Sequence, residues 1–383
     1  MKKIFFVFLV SYFLFLFFAD KANAAYDPLA VPNNKVGIHI LFPQEINDAA
    51  ALVNENGDWG YVTIPIQAGD KDLEKWQKFM DSAKQNHVIP IVRIATEGDY
   101  FNTKVWRQPT ASDVLDFANF LNSLIWPVEN QYVVIFNEVN RADEWGGSVN
   151  PEAYADLLEY ATIVFKNKSK DFFILAAGLD NAAATVKEES MDQYAFMQSV
   201  ENAVPGVFSH IDGIASHSYP NPGFSQPPSK LTPQSIASFK YEKALAEEFA
   251  KKPLPIFITE TGWRSDVLPH EIIGSHYRQA FESVWNEPSI VAITPFLLRA
   301  GDGTFRFFSF IDDSGQKTQA YDTIHNLVKS QGLPIISKDP RILGTKTHTA
   351  IIEKQFTQAS LTSHNTEEIP SAVKQLVKWL LKL

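Results

Sequence analysis

Cysteine is absent from the chain. That excludes a disulfide framework, a Cys-ligated zinc, an iron–sulfur cluster and a thiol nucleophile. Charge is sparse, at 20% of residues against 45% hydrophobic. Over 383 residues that composition can bury a large core, which excludes a mainly disordered chain. Basic charge is in deficit. Residues 1–24 hold three lysines and one aspartate; without them 31 basic and 43 acidic side chains remain, a net charge of −12. A polyanion is repelled at long range, so nucleic acid and an anionic membrane are excluded as main partners. A neutral or basic small molecule, or an uncharged polymer, fits better. The nine histidines form neither H-x-H nor H-E-x-x-H, and no dense carboxylate cluster or phosphate-binding loop is present. Neither a metal nor another cofactor is therefore implied. The G-x-S-x-G elbow of serine hydrolases is also missing.

Long apolar runs are confined to the N-terminus. Lys2 and Lys3 precede an almost unbroken apolar stretch from Ile4 to Ala19, and Ala22-Asn23-Ala24 follows. The pattern predicts a cleaved export signal over 1–24 and a secreted or surface-held protein. The alternative is an uncleaved anchor, but the stretch falls short of the roughly 20 residues that span a bilayer. No later segment is long and apolar enough to span one.

Eight short apolar runs begin near Val36, Tyr61, Val88, Val133, Phe172, Ile211, Ile256 and Val291. Buried parallel strands read this way, and each gap can hold one helix and two loops. Helical spacing of apolar residues predicts helices over Asp72–Gln85, Ser112–Leu124 and Thr318–Val328. Pro151 and Pro233 sit where first-turn prolines would open two more, over Glu152–Phe165 and Gln234–Ala250. The expected fold is α/β, a (β/α)₈ TIM barrel over residues 25–332. The rival, an open doubly wound sheet, usually carries a Gly-rich loop after its first strand, and Ile38-His39-Ile40-Leu41-Phe42-Pro43 stands there instead. Residues 333–368 read as a polar linker. Residues 369–383 read as an amphipathic helix, either a tail packing on the barrel or a surface-binding element.

In such a barrel the active site gathers at the C-terminal ends of the strands. The fourth run ends in Asn137-Glu138-Val139-Asn140 and the seventh in Thr259-Glu260-Thr261-Gly262-Trp263. Strands four and seven face each other across eight, so both carboxylates can reach one central substrate. A Glu at a buried strand mouth loses hydration, so its pKa is expected to be perturbed. The bland alternative is that these glutamates form buried ion pairs with Arg93 or Arg299. A retaining glycosidase needs the same pair, with carboxyl groups about 5–5.5 Å apart.

With Asn137-Glu138, Thr259-Glu260-Thr261-Gly262-Trp263 and His217-Ser218-Tyr219 in place, residues 33–330 resemble glycoside hydrolase clan A, whose members are (β/α)₈ retaining enzymes. Features of families 5, 39 and 17 are all visible, and none is assignable. The resemblance implies that Glu138 is the acid/base, Glu260 the nucleophile and Asn137 the partner of the sugar 2-hydroxyl. It implies that Tyr219 donates to Glu260 and that His217 lines the pocket. Arg93, ending the third strand, is expected to lower the pKa of Glu260, although clan members often place such an Arg on the second strand. His39 is a candidate for a sugar hydroxyl. Two departures are visible: Val139 stands where many members have Pro, and Phe296 where many have Trp. Sugar rings pack on aromatic faces, so Trp106, Trp145, Trp263, Tyr100 and Phe296 are candidate platforms, with Trp145 the first choice. The leading reading is an O-glycosyl hydrolase whose partner is a carbohydrate. The alternatives are a non-catalytic carbohydrate-binding barrel, a transglycosylase and, further off, a metal-dependent hydrolase.

Overall fold

The computed structural model describes residues 25–301 and 303–338. The export signal over 1–24, the linker beyond residue 338 and the helix over 369–383 lie outside the described residues. Among the described residues no helix is long and apolar enough to cross a membrane.

The strands are β1 (Gly37–His39), β2 (Gly60–Gln67), β3 (Val88–Ala95), β4 (Gln131–Ile135), β5 (Phe172–Ala176), β6 (Gly213–His217), β7 (Ile256–Glu260) and β8 (Ile290–Ile293). All pair in parallel and in chain order. A parallel bridge between Val36 and Ile293, and the bond from the His39 amide to the Pro295 carbonyl (2.9 Å), bring β8 back to β1. The result is the nearly closed (β/α)₈ barrel that the eight apolar runs imply.

Strand residues alternate between two cores, because successive side chains point to opposite faces. One set fills the barrel interior: Ile89, Ile91, Tyr132, Val134, Phe173 and Phe257 are all nearly inaccessible. The ring of Tyr132 sits 5.1 Å from Phe173 and 5.2 Å from Phe257, which plugs the lower barrel. The other set packs outward on the helices, as Val62, Val92, Ile135 and Ile174 do. With the interior filled from below, a cavity can open only at the C-terminal end of the strands.

Helix starts follow local chemistry. Asp72 caps Leu73–Gln85 by accepting from the Lys75 amide, and Thr110 with Asp113 forms a capping box on Ala111–Asn122. Pro151 occupies the first turn of Pro151–Lys168 behind an Asn150 cap. Pro233 does not open a helix. The helix there runs Ser238–Ala250, starting four residues later than the proline signal suggests. The Ser235 hydroxyl engages the amides of Thr232 and Ala237, so residues 232–237 form turns. The barrel unit also runs past the expected boundary at 332, to Ser337. Leu333 bonds to Pro32, Glu129 to Ile335 and Ser337 to Pro127, so this segment belongs to the barrel rather than to a linker.

Candidate active site

Glu138 and Glu260 meet at the C-terminal mouth of the barrel. Glu260 is the last residue of β7 and is paired in register with His217, the last of β6. Glu138 lies just beyond β4. Phe136 (φ +68°) and Glu138 (φ +37°) both adopt left-handed backbone, a conformation that strains non-glycine residues and clusters at functional sites. The Glu138 amide donates to the Gly178 carbonyl (2.9 Å), which ties this bend to the end of β5. Both carboxylates line a cavity of about 360 Å³.

His217 stands between them. Its Nδ1 lies 3.0 Å from Oε1 of Glu138 and 3.8 Å from Oε2 of Glu260. One oxygen of each Glu and one ring nitrogen of His217 all fall within 4.8 Å of one another. That spacing is short enough for two carboxylates to reach a single bond, and it is also compact enough to hold a divalent cation. Tyr219 donates its hydroxyl to Oε2 of Glu260 (3.0 Å), as the motif implies. Arg141 sits 3.2 Å from Oε2 of Glu138, and also pairs with Asp143 and Asp180.

The protonation pattern follows from these contacts. Burial alone would raise the Glu138 pKa, but the His217 hydrogen bond and charge, then Arg141 and Arg93, outweigh it and hold the carboxyl below its ordinary range. Burial alone would lower His217; the charge of Glu260 and the bond and charge of Glu138 outweigh it and raise the imidazole. Burial, then the charge of Glu138, pushes Glu144 up to about 7.

Most of the expected residues converge here. Arg93, Asn137, Tyr219 and Phe296 line the cavity, as do Tyr100 and Trp106. The Oδ1 of Asn137 is buried without a partner, while its side chain also hydrogen-bonds Glu144. Arg93 exerts its charge on Glu138 and Glu144. Arg299 pairs with Asp48 at 2.7 Å, so it is not the counter-ion of either catalytic candidate.

Four expectations are corrected. His217, expected to line the pocket, is 1% exposed and does not line the cavity; it meets the site through Glu138 and Glu260. Trp145 is 1% exposed, edge-on to Phe136 and Tyr154 at 6.3 and 5.7 Å, so it is core and not a sugar platform. Trp263 is equally buried: its ring lies 4.9 Å from Tyr277, and its Nε1 donates to the Gln226 carbonyl at 2.8 Å. His39 is fully buried, 3.6 Å from Oε1 of Glu260, and does not line the cavity. Burial, then Arg93 and His217, holds it well below its ordinary pKa, so it backs Glu260 as a neutral ring. Sequence reasoning also passed over Arg141, Glu144 and Asp180. Arg141 follows Glu138 by three residues, which is the spacing of a local ion pair and the one signal that was available.

No protein-family model matches the chain, and no curated protein matches it by sequence. Solved structures do match by fold. A family 39 glycoside hydrolase from the gut symbiont Bacteroides cellulosilyticus WH2 is 15% identical with a TM-score of 0.53, over 79% of this chain and 64% of that one. A GH39 β-xylosidase from Caulobacter crescentus is 14% identical with a TM-score of 0.53, over 79% and 72%. A GH5_18 protein from Streptomyces cattleya, solved in complex with GlcNAc, is 15% identical with a TM-score of 0.55, over 77% and 79%. The chain thus shares its barrel fold with glycoside hydrolases of families 39 and 5, two of the families its strand-end motifs resemble. It spans just under two thirds of the length of the first of them.

Proposed function

We propose that the chain is a retaining glycoside hydrolase acting on a β-linked oligo- or polysaccharide. The observation that carries this reading is the approach of one Glu138 oxygen to one Glu260 oxygen, within 4.8 Å. A retaining pair stands about 5–5.5 Å apart, whereas an inverting pair leaves about 6.5–9.5 Å for a water. Glu260 attacks the anomeric carbon and forms an ester as the bond to the leaving oxygen breaks. Glu138 gives that oxygen a proton. It then takes a proton from water, which cleaves the ester and restores Glu260.

The free site holds Glu138 ionised, so its proton needs a source. His217, raised by both carboxylates, supplies it along the 3.0 Å contact. As Glu260 bonds to the anomeric carbon its negative charge is consumed, and in that same step the imidazolium loses a principal support, so its proton passes through Glu138 to the departing oxygen. The proton that Glu138 later takes from water returns to His217 and closes the cycle. Tyr219 holds Glu260 in line for attack. Asn137, with its unpartnered Oδ1 at the cavity wall, suits a sugar hydroxyl. The N-terminal pattern of Lys2, Lys3 and the apolar stretch extends the reading to an exported enzyme.

The test is the anomer released first from a panel of β-linked glycans, followed by proton NMR; xylosides join the panel because one neighbour is a β-xylosidase. The β-anomer first supports retention. The α-anomer first overturns it, and elongated products assign transfer instead. The three-atom spacing favours one second reading, metal-dependent hydrolysis, which requires that EDTA abolish turnover and a divalent cation restore it.

A further inference from the structure

Arg93 is 9% exposed and lines the cavity; its Nε is buried without a hydrogen-bond partner, and Glu138 and Glu144 feel its charge only through space, without an ion-pair contact among the described residues. A buried guanidinium without a direct hydrogen-bonded carboxylate is costly, so such groups are ordinarily paired. The nearby acids are engaged elsewhere. Glu138 is bonded to His217 and Arg141, Glu260 to Tyr219, and Asp143 and Asp180 to Arg141. Glu144 is bonded by Asn137 and rises to about 7, so it is only partly charged near neutrality.

A second cation faces the same space. Lys104, on the loop between β3 and the helix Ala111–Asn122, lines the cavity, is exposed and has no ion pair among the described residues. Tyr100 and Trp106 from that loop add aromatic faces against which a pyranose can lie. A planar guanidinium matches a carboxylate through two parallel hydrogen bonds.

We infer that this wall of the cavity, built on Arg93, binds the carboxylate of a sugar acid, so the substrate class is a glycan containing uronic acid. The inference rests on the proposed glycosidase reading. This departs from the uncharged or basic partner that the net charge of −12 suggests; exposed charges are screened beyond about 8 Å at physiological salt, so at close range the groups of the cavity wall decide what binds.

Isothermal titration of the full chain as Glu260→Gln tests it, with β-linked oligosaccharides containing glucuronate or galacturonate as ligands. The same oligosaccharides after carboxyl reduction are the controls. Reduction is expected to weaken binding roughly tenfold to a hundredfold. Adding Arg93→Gln is expected to erase the difference between the two ligand forms. Adding Arg93→Lys, which keeps the charge without the fork, should leave part of it. Equal binding of both forms, or a preference that survives Arg93→Gln, overturns the inference. Retaining cleavage of neutral glycans without a uronate preference would sink the inference and leave the hydrolase reading standing. A uronate preference without cleavage of any glycan would do the reverse.

Discussion

Nδ1 of His217 lies 3.0 Å from Oε1 of Glu138, and the two belong to different strand ends, β6 and β4. The contact couples the titration of an imidazole to that of a carboxylate, raising the one and lowering the other. A proton that can be called on when Glu260 loses its charge is what a retaining acid/base needs.

Replacing His217 by Asn should therefore slow the step that protonates the leaving group. The expected loss in kcat is roughly 10²–10³-fold on natural linkages. It should be far smaller on nitrophenyl glycosides, whose leaving group needs no proton. Comparing kcat on the two substrate types measures the difference. Equal losses would assign His217 a merely structural role.

Glu138→Ala should retain activity on activated aryl glycosides, with added azide raising turnover by opening a route for an external nucleophile. Glu260→Ala should lose roughly 10⁴-fold or more with every substrate. Circular dichroism should show both variants folded, since both carboxylates line the cavity rather than the apolar core.

Gly178→Ala isolates the placement of His217. A Cβ on residue 178 would overlap the imidazole ring, and the Gly178 carbonyl already accepts the Glu138 amide. The ring must move, so activity on natural linkages should fall at least tenfold, and crowding a fully buried ring should also lower the melting temperature by a few degrees. An unchanged kcat would show that the ring position is not critical.

Glu242 gives a stability prediction with a definite sign. It is 2% exposed, and burial pushes it up to about 7, against the lowering effect of its bonds to Ser238 and Ser216. The folded pKa lies above the unfolded one. Its contribution is therefore fully present below the ordinary carboxylate range and is lost as pH rises through about 7. Glu242→Gln should match the wild type at pH 5 and exceed it at pH 8.5, by about 3 kcal/mol at most. Urea melts at the two pH values measure this, and equal stability at pH 8.5 would contradict it.

The barrel was legible because its signals are local. Apolar runs such as Val88–Val92 and caps such as Thr110 are specified by neighbours in sequence. The two glutamates were legible because each ends a buried run, and strand order alone sets them across from one another. What stayed hidden depends on contacts distant in sequence. Trp145 follows a flexible-looking acidic segment, yet Phe136 and Tyr154 enclose it, and only the folded chain brings Tyr154 to that spot. The pairing of Arg141 with Asp180 joins two loops 39 residues apart. His39 reads as a strand-end polar residue, but the same strand position buries it behind Glu260.

The central claim is that Glu260 forms a covalent bond with the sugar. A 2-deoxy-2-fluoro glycoside with a good leaving group, built on whichever sugar the enzyme turns over, should inactivate it by trapping that ester. Peptide mapping by mass spectrometry should then find one sugar per chain, on Glu260. A label on Glu138, or rapid turnover with no label on any carboxylate, would contradict the account.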